Sequence, residues 1–280
     1  MKGLIVTADD FGSAIEVNDA VERAHGHGIL TAASLMVGAP ATQDAIARAR
    51  NLPGLRVGLH LVLVDGTPLS PPHTIPDLVG ADGKFRDDLV HLGVDIFFRP
   101  HVRAQLAREI AAQFEAFAAT GLDLDHVNGH KHFHLHPTVA QLVIEIGKSF
   151  GLRAARVPDE PRRLIDLVEG RRHMPDGLAP MSFLLRRRFQ RAKISTTDRV
   201  FGLAWSGAMT RDRLSGLIAR LPEGVSEIYL HPATCDRFAG SASNYRYRDE
   251  LDALLDPQVI ALARDRDIRL GGFAEFSDRR

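Results

Sequence analysis

The twelve residues from His126 to Pro137, HVNGHKHFHLHP, contain five histidines, His126, His130, His132, His134 and His136, all at even positions. In an extended chain alternate side chains share a face, so this spacing would aim all five imidazoles the same way. Imidazole ligates divalent metals, exchanges protons near neutral pH, and orients a neighbour through its second nitrogen. Two adjacent carboxylates, Asp9 and Asp10, follow the apolar run Gly3–Ala8, while His60 sits in VGLHL and His231 in EIYLHP.

Neutral imidazoles with a carboxylate suit a divalent-metal site that keeps open positions for water and substrate. Three protein ligands leave such positions, whereas five clustered histidines would close them. Part of the block therefore has other work. His132 and His134 are expected to orient ligands or line a pocket, His136 to cap the helix that Pro137 begins, and His126 to lie deeper with a structural role.

The elements that must position these groups alternate along the chain. GLIVTA, TAASLMVG, RVGLHLVL, LDHVNGH, RAARVP, VFGLAWS, EIYLHP and IRLGGF read as strands, by their short apolar, β-branched runs. Helical spacing predicts helices over Ser13–His27, through ATQDAIARARNLPG, over His101–Thr120, from Pro137 to the residues before Gly151, and near Arg211–Arg220 and Asp249–Arg266. Asp65 to about Lys84 reads as a loop. Such alternation predicts an α/β fold, an irregular or incomplete (β/α) barrel with a mainly parallel sheet and outer helices. A single catalytic barrel domain over 1–280 is expected, with residues 160–195 as an inserted basic and apolar segment. Chemistry in barrels collects at the C-terminal ends of strands. Asp9, Asp10, His60, His130 and His231 all fall there. Taken singly, an Asp-Asp pair is ordinary turn chemistry, His60 an ordinary core histidine, and His231 before Pro232 loop punctuation. Their shared placement at one rim points to a metal-dependent active site.

Composition narrows the class. Lys and Arg total 35, as do Asp and Glu, in 280 residues, which argues against a nucleic-acid binder. The single cysteine, Cys235, excludes an intrachain disulfide framework and fits a reducing compartment. The first apolar run is too short for a signal sequence, and no stretch approaches a membrane span. A cytoplasmic protein, peripheral on the inner membrane, is the expectation.

TADDFG, VGLH, HVNGHKHFH, ARVP and YLHP, in that order from residue 3 to about 235, resemble the motif series of YdjC/ChbG-like carbohydrate deacetylases. The resemblance implies an irregular (β/α) barrel, one divalent metal ion and removal of an N-acetyl group from an amino sugar; the ligand types permit Zn, or Mg with more water ligands. By position, Asp10, His60 and His130 match metal ligands, Asp9 a general base, His231 the histidine near the leaving group, and Arg156 a residue that orients substrate or the acid. The family pattern has Asp-Ser where this chain has Asn128-Gly129, and Asn128 supplies no carboxylate at that position. The histidine block itself resembles the hopanoid-associated (HpnK-like) branch, which implies an N-acetylglucosaminyl hopanoid lipid as substrate.

The stretch 153–193 holds eleven Lys and Arg against five acids, and places Phe183, Leu184 and Leu185 beside Arg186, Arg187 and Arg188. Apolar groups flanked by arginines match an anionic membrane surface. The same composition fits a helix with a buried stripe and a solvated basic face.

On the family assignment, a metal at Asp10, His60 and His130 activates water, Asp9 takes its proton, and His231 protonates the departing amine. Deacetylation of soluble chito-oligosaccharides, a metallophosphoesterase, and a noncatalytic metal- or lipid-binding protein remain alternatives. They differ in whether acetate, phosphate or nothing is released.

Overall fold

The computed structural model describes residues 1–172, 177, 179–265 and 267–277. Seven strands, all paired in parallel, form one sheet: β1 (Lys2–Phe11), β2 (Ala32–Leu35), β3 (Arg56–Leu61), β4 (Val127–Gly129), β5 (Arg199–Phe201), β6 (Gly224–Leu230) and β7 (Ile268–Leu270). The order is β4-β3-β2-β1-β6-β5, with β7 also on β1. Thr7 of β1 pairs with Ala32 of β2 and with Tyr229 of β6. β7 pairs with Lys2–Leu4, beside the part of β1 that precedes its pairing with β2.

The two sheet edges approach each other through the RAARVP segment. Val127 N–H donates to Ala154 O and Arg156 N–H to Val127 O, while Ala155 N–H donates to Ser195 O. RAARVP was expected as a strand. It supplies only single bridges, so the ring is an incomplete (β/α) barrel. β1 is buried along nearly its whole length, which explains why its apolar run is continuous rather than alternating.

Helices lie outside the sheet. α1 (Ile15–His27) and α2 (Thr42–Arg50) follow β1 and β2. α3 (Leu89–Phe98), which the sequence reading missed, precedes α4 (Pro100–Ala119). On α4 the side chains of Val102, Leu106, Ile110, Phe114 and Phe117 are buried, a stripe with the spacing of one helical face. α4 also pins the loop after β3. Glu109 accepts from the amides of Leu69 and Ser70, and Gln113 bonds Val62 through both its amide atoms.

α5 (Pro137–Ser149) starts at Pro137, and the His136 side chain accepts from Thr138 N–H. The expected segment 160–195 contains α6 (Arg162–Glu169) and α7 (Ala179–Arg191); part of it lies outside the described residues. α8 (Arg211–Ile218), α9 (Tyr247–Leu255), α10 (Pro257–Ala263) and α11 (Ala274–Ser277) follow among the described residues.

The histidine block departs from expectation. It is not extended: β4 ends at Gly129 and His130–Leu135 winds as a 3₁₀ turn, with Lys131 at φ 50° and His132 at φ 54°. The single parity holds for His126, Asn128 and His130 and is broken beyond them, so the five imidazoles do not share a face.

Candidate active site

β1 ends irregularly. Its register against β2 shifts between Ala8 and Phe11, and Asp10 takes φ +61°, a region costly for a non-glycine residue. The shift separates the two carboxylates. Asp9 stays buried, whereas Asp10 turns toward His60 at the end of β3 and His130 just past β4. Asp10 Oδ1 lies 3.3 Å from His60 Nε2 and 3.5 Å from His130 Nδ1, and ligand atoms of all three fall within 4.8 Å of one another.

Among the described residues, Asp10 Oδ1 and His60 Nε2 are buried without a hydrogen-bond partner. Leaving such a group unsatisfied costs about 1–3 kcal/mol. One carboxylate oxygen and two imidazole nitrogens converging this way have the chemistry and spacing of a divalent-cation site, so the residues fit a metal.

Asn128 joins the two halves of the site. Its amide nitrogen donates to Asp9 Oδ1 and to Ser34 Oγ, both at 2.9 Å. Its carbonyl therefore faces His60 Nδ1, at 2.7 Å. His60 donates from Nδ1 and keeps its Nε2 lone pair toward Asp10 and His130. A neutral amide supports both neighbours, so the position needs no carboxylate.

Asp9 also meets Arg156, Nη1 to Oδ2 at 2.5 Å and Nη2 to Oδ1 at 2.9 Å. Arg156 is fully buried, and its Nε and Nη2 donate to Glu227 Oε1 at 3.0 and 2.7 Å. Burial alone would raise the Asp9 pKa, but Arg156, His60 and His231 outweigh it and hold the carboxyl well below the usual range. Burial opposes the charge on Arg156 too, and Asp9 and Glu227 more than restore it. Asp9 is thus ionised at neutral pH. Three contacts occupy it, and a carboxylate offers about four acceptor positions.

The other histidines support this centre. His126 is fully buried, with Nδ1 2.9 Å from Asp125 Oδ2 and Nε2 3.0 Å from Ser34 Oγ. His132 Nε2 meets the Tyr229 hydroxyl at 2.9 Å, and His134 Nε2–H donates to Arg156 O at 3.1 Å. Burial, then His134 and Arg156, push His132 well below its ordinary pKa; burial and Arg156 push His134 down to about 3. Both are neutral at physiological pH. Neither belongs to the Asp10, His60, His130 group.

His231 follows β6. Its backbone N–H donates to Glu250 Oε2, and its ring lies 5.1 Å from that of Tyr245, centre to centre. Asp9, Asp10, His130 and His231 line both of two neighbouring clefts, about 430 and 370 Å³. Met36, Leu69, Phe238 and Tyr247 line the first; His132, Tyr229 and Tyr245 line the second.

Sequence reading missed Ser34, Glu227, Tyr229 and Glu250. A signal for two of them existed: Glu227 and Tyr229 alternate along SEIYLH and fall on one face of β6, two and four residues before His231.

On α7 the expected lipid-contact residues divide. Phe183 and Leu184 are each 57 % exposed, and the Arg187 guanidinium lies over the Phe183 ring at 5.3 Å. Leu185, expected at the surface, is in the core at 2 % exposure, because it lies on the opposite side of the helix with Ser182 and Phe189. Arg186 is committed to Thr196, Thr197 and Asp159, and Arg188 to Pro137 O. No helix among the described residues is long and apolar enough to cross a membrane.

Comparison with known proteins identifies relatives over the whole length of the chain. A carbohydrate deacetylase of Geobacillus stearothermophilus is 32 % identical over 276 residues, 97 % of each chain. One of Brevibacillus brevis is 30 % identical over 276 residues, 98 % of this chain and 99 % of the relative. A crystal structure from Enterococcus faecalis V583, of a protein named for cellobiose-phosphate cleavage, superposes with a TM-score of 0.78 at 23 % identity, covering 98 % of both chains; it shares the fold. The YdjC-like protein family model matches residues 3–265, and with these full-length relatives it shows that the chain belongs to the YdjC-like family.

Proposed function

We propose that the chain is a metal-dependent carbohydrate deacetylase that hydrolyses the N-acetyl group of an amino sugar. The observation that carries this reading is the convergence of Asp10, His60 and His130 next to an ionised Asp9, with His231 lining the same clefts. Full-length relatives named carbohydrate deacetylase support it.

Asp10, His60 and His130 would hold the divalent ion, Zn or Mg, which when bound supplies Lewis acidity for the acetamide carbonyl. Asp9 accepts the proton of the attacking water through its remaining lone pair, while Arg156 and Asn128 fix its plane. His231 donates a proton to the amine nitrogen as the C–N bond breaks, because an amide anion is too poor a leaving group. The products are acetate and the free amino sugar.

An N-acetylglucosaminyl hopanoid lipid is the proposed substrate, met by a protein peripheral to the cytoplasmic face of the inner membrane. Exposed Phe183, Leu184 and Arg187 support that reading. Purified protein loaded with zinc or magnesium, given this lipid and soluble chito-oligosaccharides in parallel, is expected to release acetate, faster from the lipid. Release of phosphate from phosphorylated sugars, with no acetate, would overturn it.

A further inference from the structure

We propose that Asp125, His126 and Ser34 form a one-way hydrogen-bond chain that sets the orientation of the Asn128 amide, and through it the tautomer of His60. The importance of that tautomer rests on reading His60 as a metal ligand.

The chain can be followed proton by proton. Asp125 Oδ1 accepts from Ala274 N–H at 2.9 Å, and Oδ2 accepts from Phe273 N–H at 3.1 Å. A carboxylate only accepts, so His126 Nδ1, 2.9 Å from Oδ2, carries a proton. Asn128 Nδ2 donates to Ser34 Oγ, so the only acceptor offered to the Ser34 hydroxyl proton in this chain is His126 Nε2, at 3.0 Å. With its proton committed, Ser34 Oγ presents lone pairs to Asn128 Nδ2 at 2.9 Å. The other amide proton goes to Asp9 Oδ1. The carbonyl is left for His60 Nδ1, which must donate, and His60 Nε2 keeps its lone pair.

A flipped amide would press its carbonyl against the Asp9 carboxylate and Ser34 Oγ. It would also present N–H to His60, favouring the Nε2–H form, which cannot ligate. Asp9 opposes that flip from one side, and the Asp125–His126–Ser34 arm opposes it from the other.

The arm is built to hold. Ser34, His126 and Asn128 are all 0 % exposed, so no bulk water replaces a lost link. The His126 ring stacks on Phe273 at 4.4 Å. On another side it meets Gly58, where an added Cβ would fall 2.5 Å from His126 Cε1. Three adjacent strands and the segment before α11 thus meet in one polar thread beneath the site. These are positioning residues, since none touches the reacting atoms.

The test reads tautomers directly in metal-free protein. Two-bond ¹H–¹⁵N correlation spectra at alkaline pH, where free imidazoles are neutral, are expected to show His60 and His126 as Nδ1–H forms. In Ser34→Ala and His126→Phe, His60 is expected to become a mixture of tautomers and zinc affinity to fall about tenfold. His126→Gln keeps an acceptor for Ser34 and is expected to restore both readouts. If one variant fails to fold, the other decides. An unchanged His60 tautomer with zinc affinity within about twofold would show that Asp9 alone orients the amide, and would overturn the proposal. So would an Nε2–H His60 in the wild type. If the wild type binds no divalent metal, the metal reading fails, while the spectra still decide the chain.

Discussion

Arg156 and Asp9 meet in a two-point contact inside the barrel, Nη1 to Oδ2 at 2.5 Å and Nη2 to Oδ1 at 2.9 Å. The same guanidinium also holds Glu227. Removing it strands two buried carboxylates, and breaking a buried pair in this way costs about 3–5 kcal/mol. Arg156→Met is expected to lose that much stability in urea unfolding. Arg156→Lys keeps a charge but loses the planar fork, so it is expected to fall between. Wild-type stability in Arg156→Met would contradict an ionised Asp9.

Asp10→Ala, His60→Ala and His130→Ala each remove one of three converging ligand atoms. Each variant is expected to bind less metal than wild type by elemental analysis of folded protein. His60→Ala is also expected to lose about 1–3 kcal/mol of stability without metal, because it leaves the buried Asn128 carbonyl without its partner. Full metal occupancy in any one variant would remove that residue from the set.

Asp9→Asn and His231→Ala should separate from the ligand variants. Both residues are assigned to proton transfer, so metal content is expected to stay while acetate release falls about a hundredfold or more. Undiminished turnover in either would remove its assigned role.

The strand ends were legible because buried parallel strands are continuous apolar runs, and Asp9, Asp10, His60 and His231 interrupt or end such runs with polar groups at the same end of successive strands. The histidine block was legible only as far as His130. Its parity argument assumed an extended chain, and nothing in the residue types announces that Lys131 and His132, both non-glycine, adopt positive φ. Glu227, and with it the ion pair to Arg156, was hard to read for another reason. A buried charge is tolerable only through its partner, and that partner lies 71 residues away. α3 escaped because it is apolar on both faces, with Val90, Val94 and Phe98 exposed, and so lacks the polar side that marks a surface helix.

Asp125 carries a pH dependence of defined sign. Burial would raise its pKa, but His126 and the amides of Ala274 and Phe273 hold it below the ordinary aspartate value of 3.8. The folded value is depressed, so its stabilisation is complete above that ordinary value and disappears as pH falls through the lowered one. Asp125→Asn is expected to cost about 1.5–3 kcal/mol at neutral pH, and to approach wild type in strongly acidic buffer. A difference that stays constant with pH, measured by urea unfolding, would assign Asp125 no charged role.

α7 offers a test in which adjacent residues should behave oppositely. Phe183 and Leu184 are exposed and Leu185 is in the core, so a membrane surface can engage the first two and not the third. Replacing Phe183 and Leu184 with Ser is expected to leave stability nearly unchanged and to weaken co-sedimentation with anionic liposomes. Arg187→Glu should weaken it further, since a basic contact near such a surface contributes about 1 kcal/mol and salt screens it. Leu185→Ala removes a packed side chain and is expected to cost about 2–5 kcal/mol of stability. Turnover provides the discriminating readout. The Phe183 and Leu184 variant is expected to lose activity on the lipid-linked sugar and keep it on a short soluble analogue. Equal loss on both substrates would mean that the exposed face of α7 supports the fold, and absence of liposome binding by the wild type would leave the soluble glycan as the substrate to pursue.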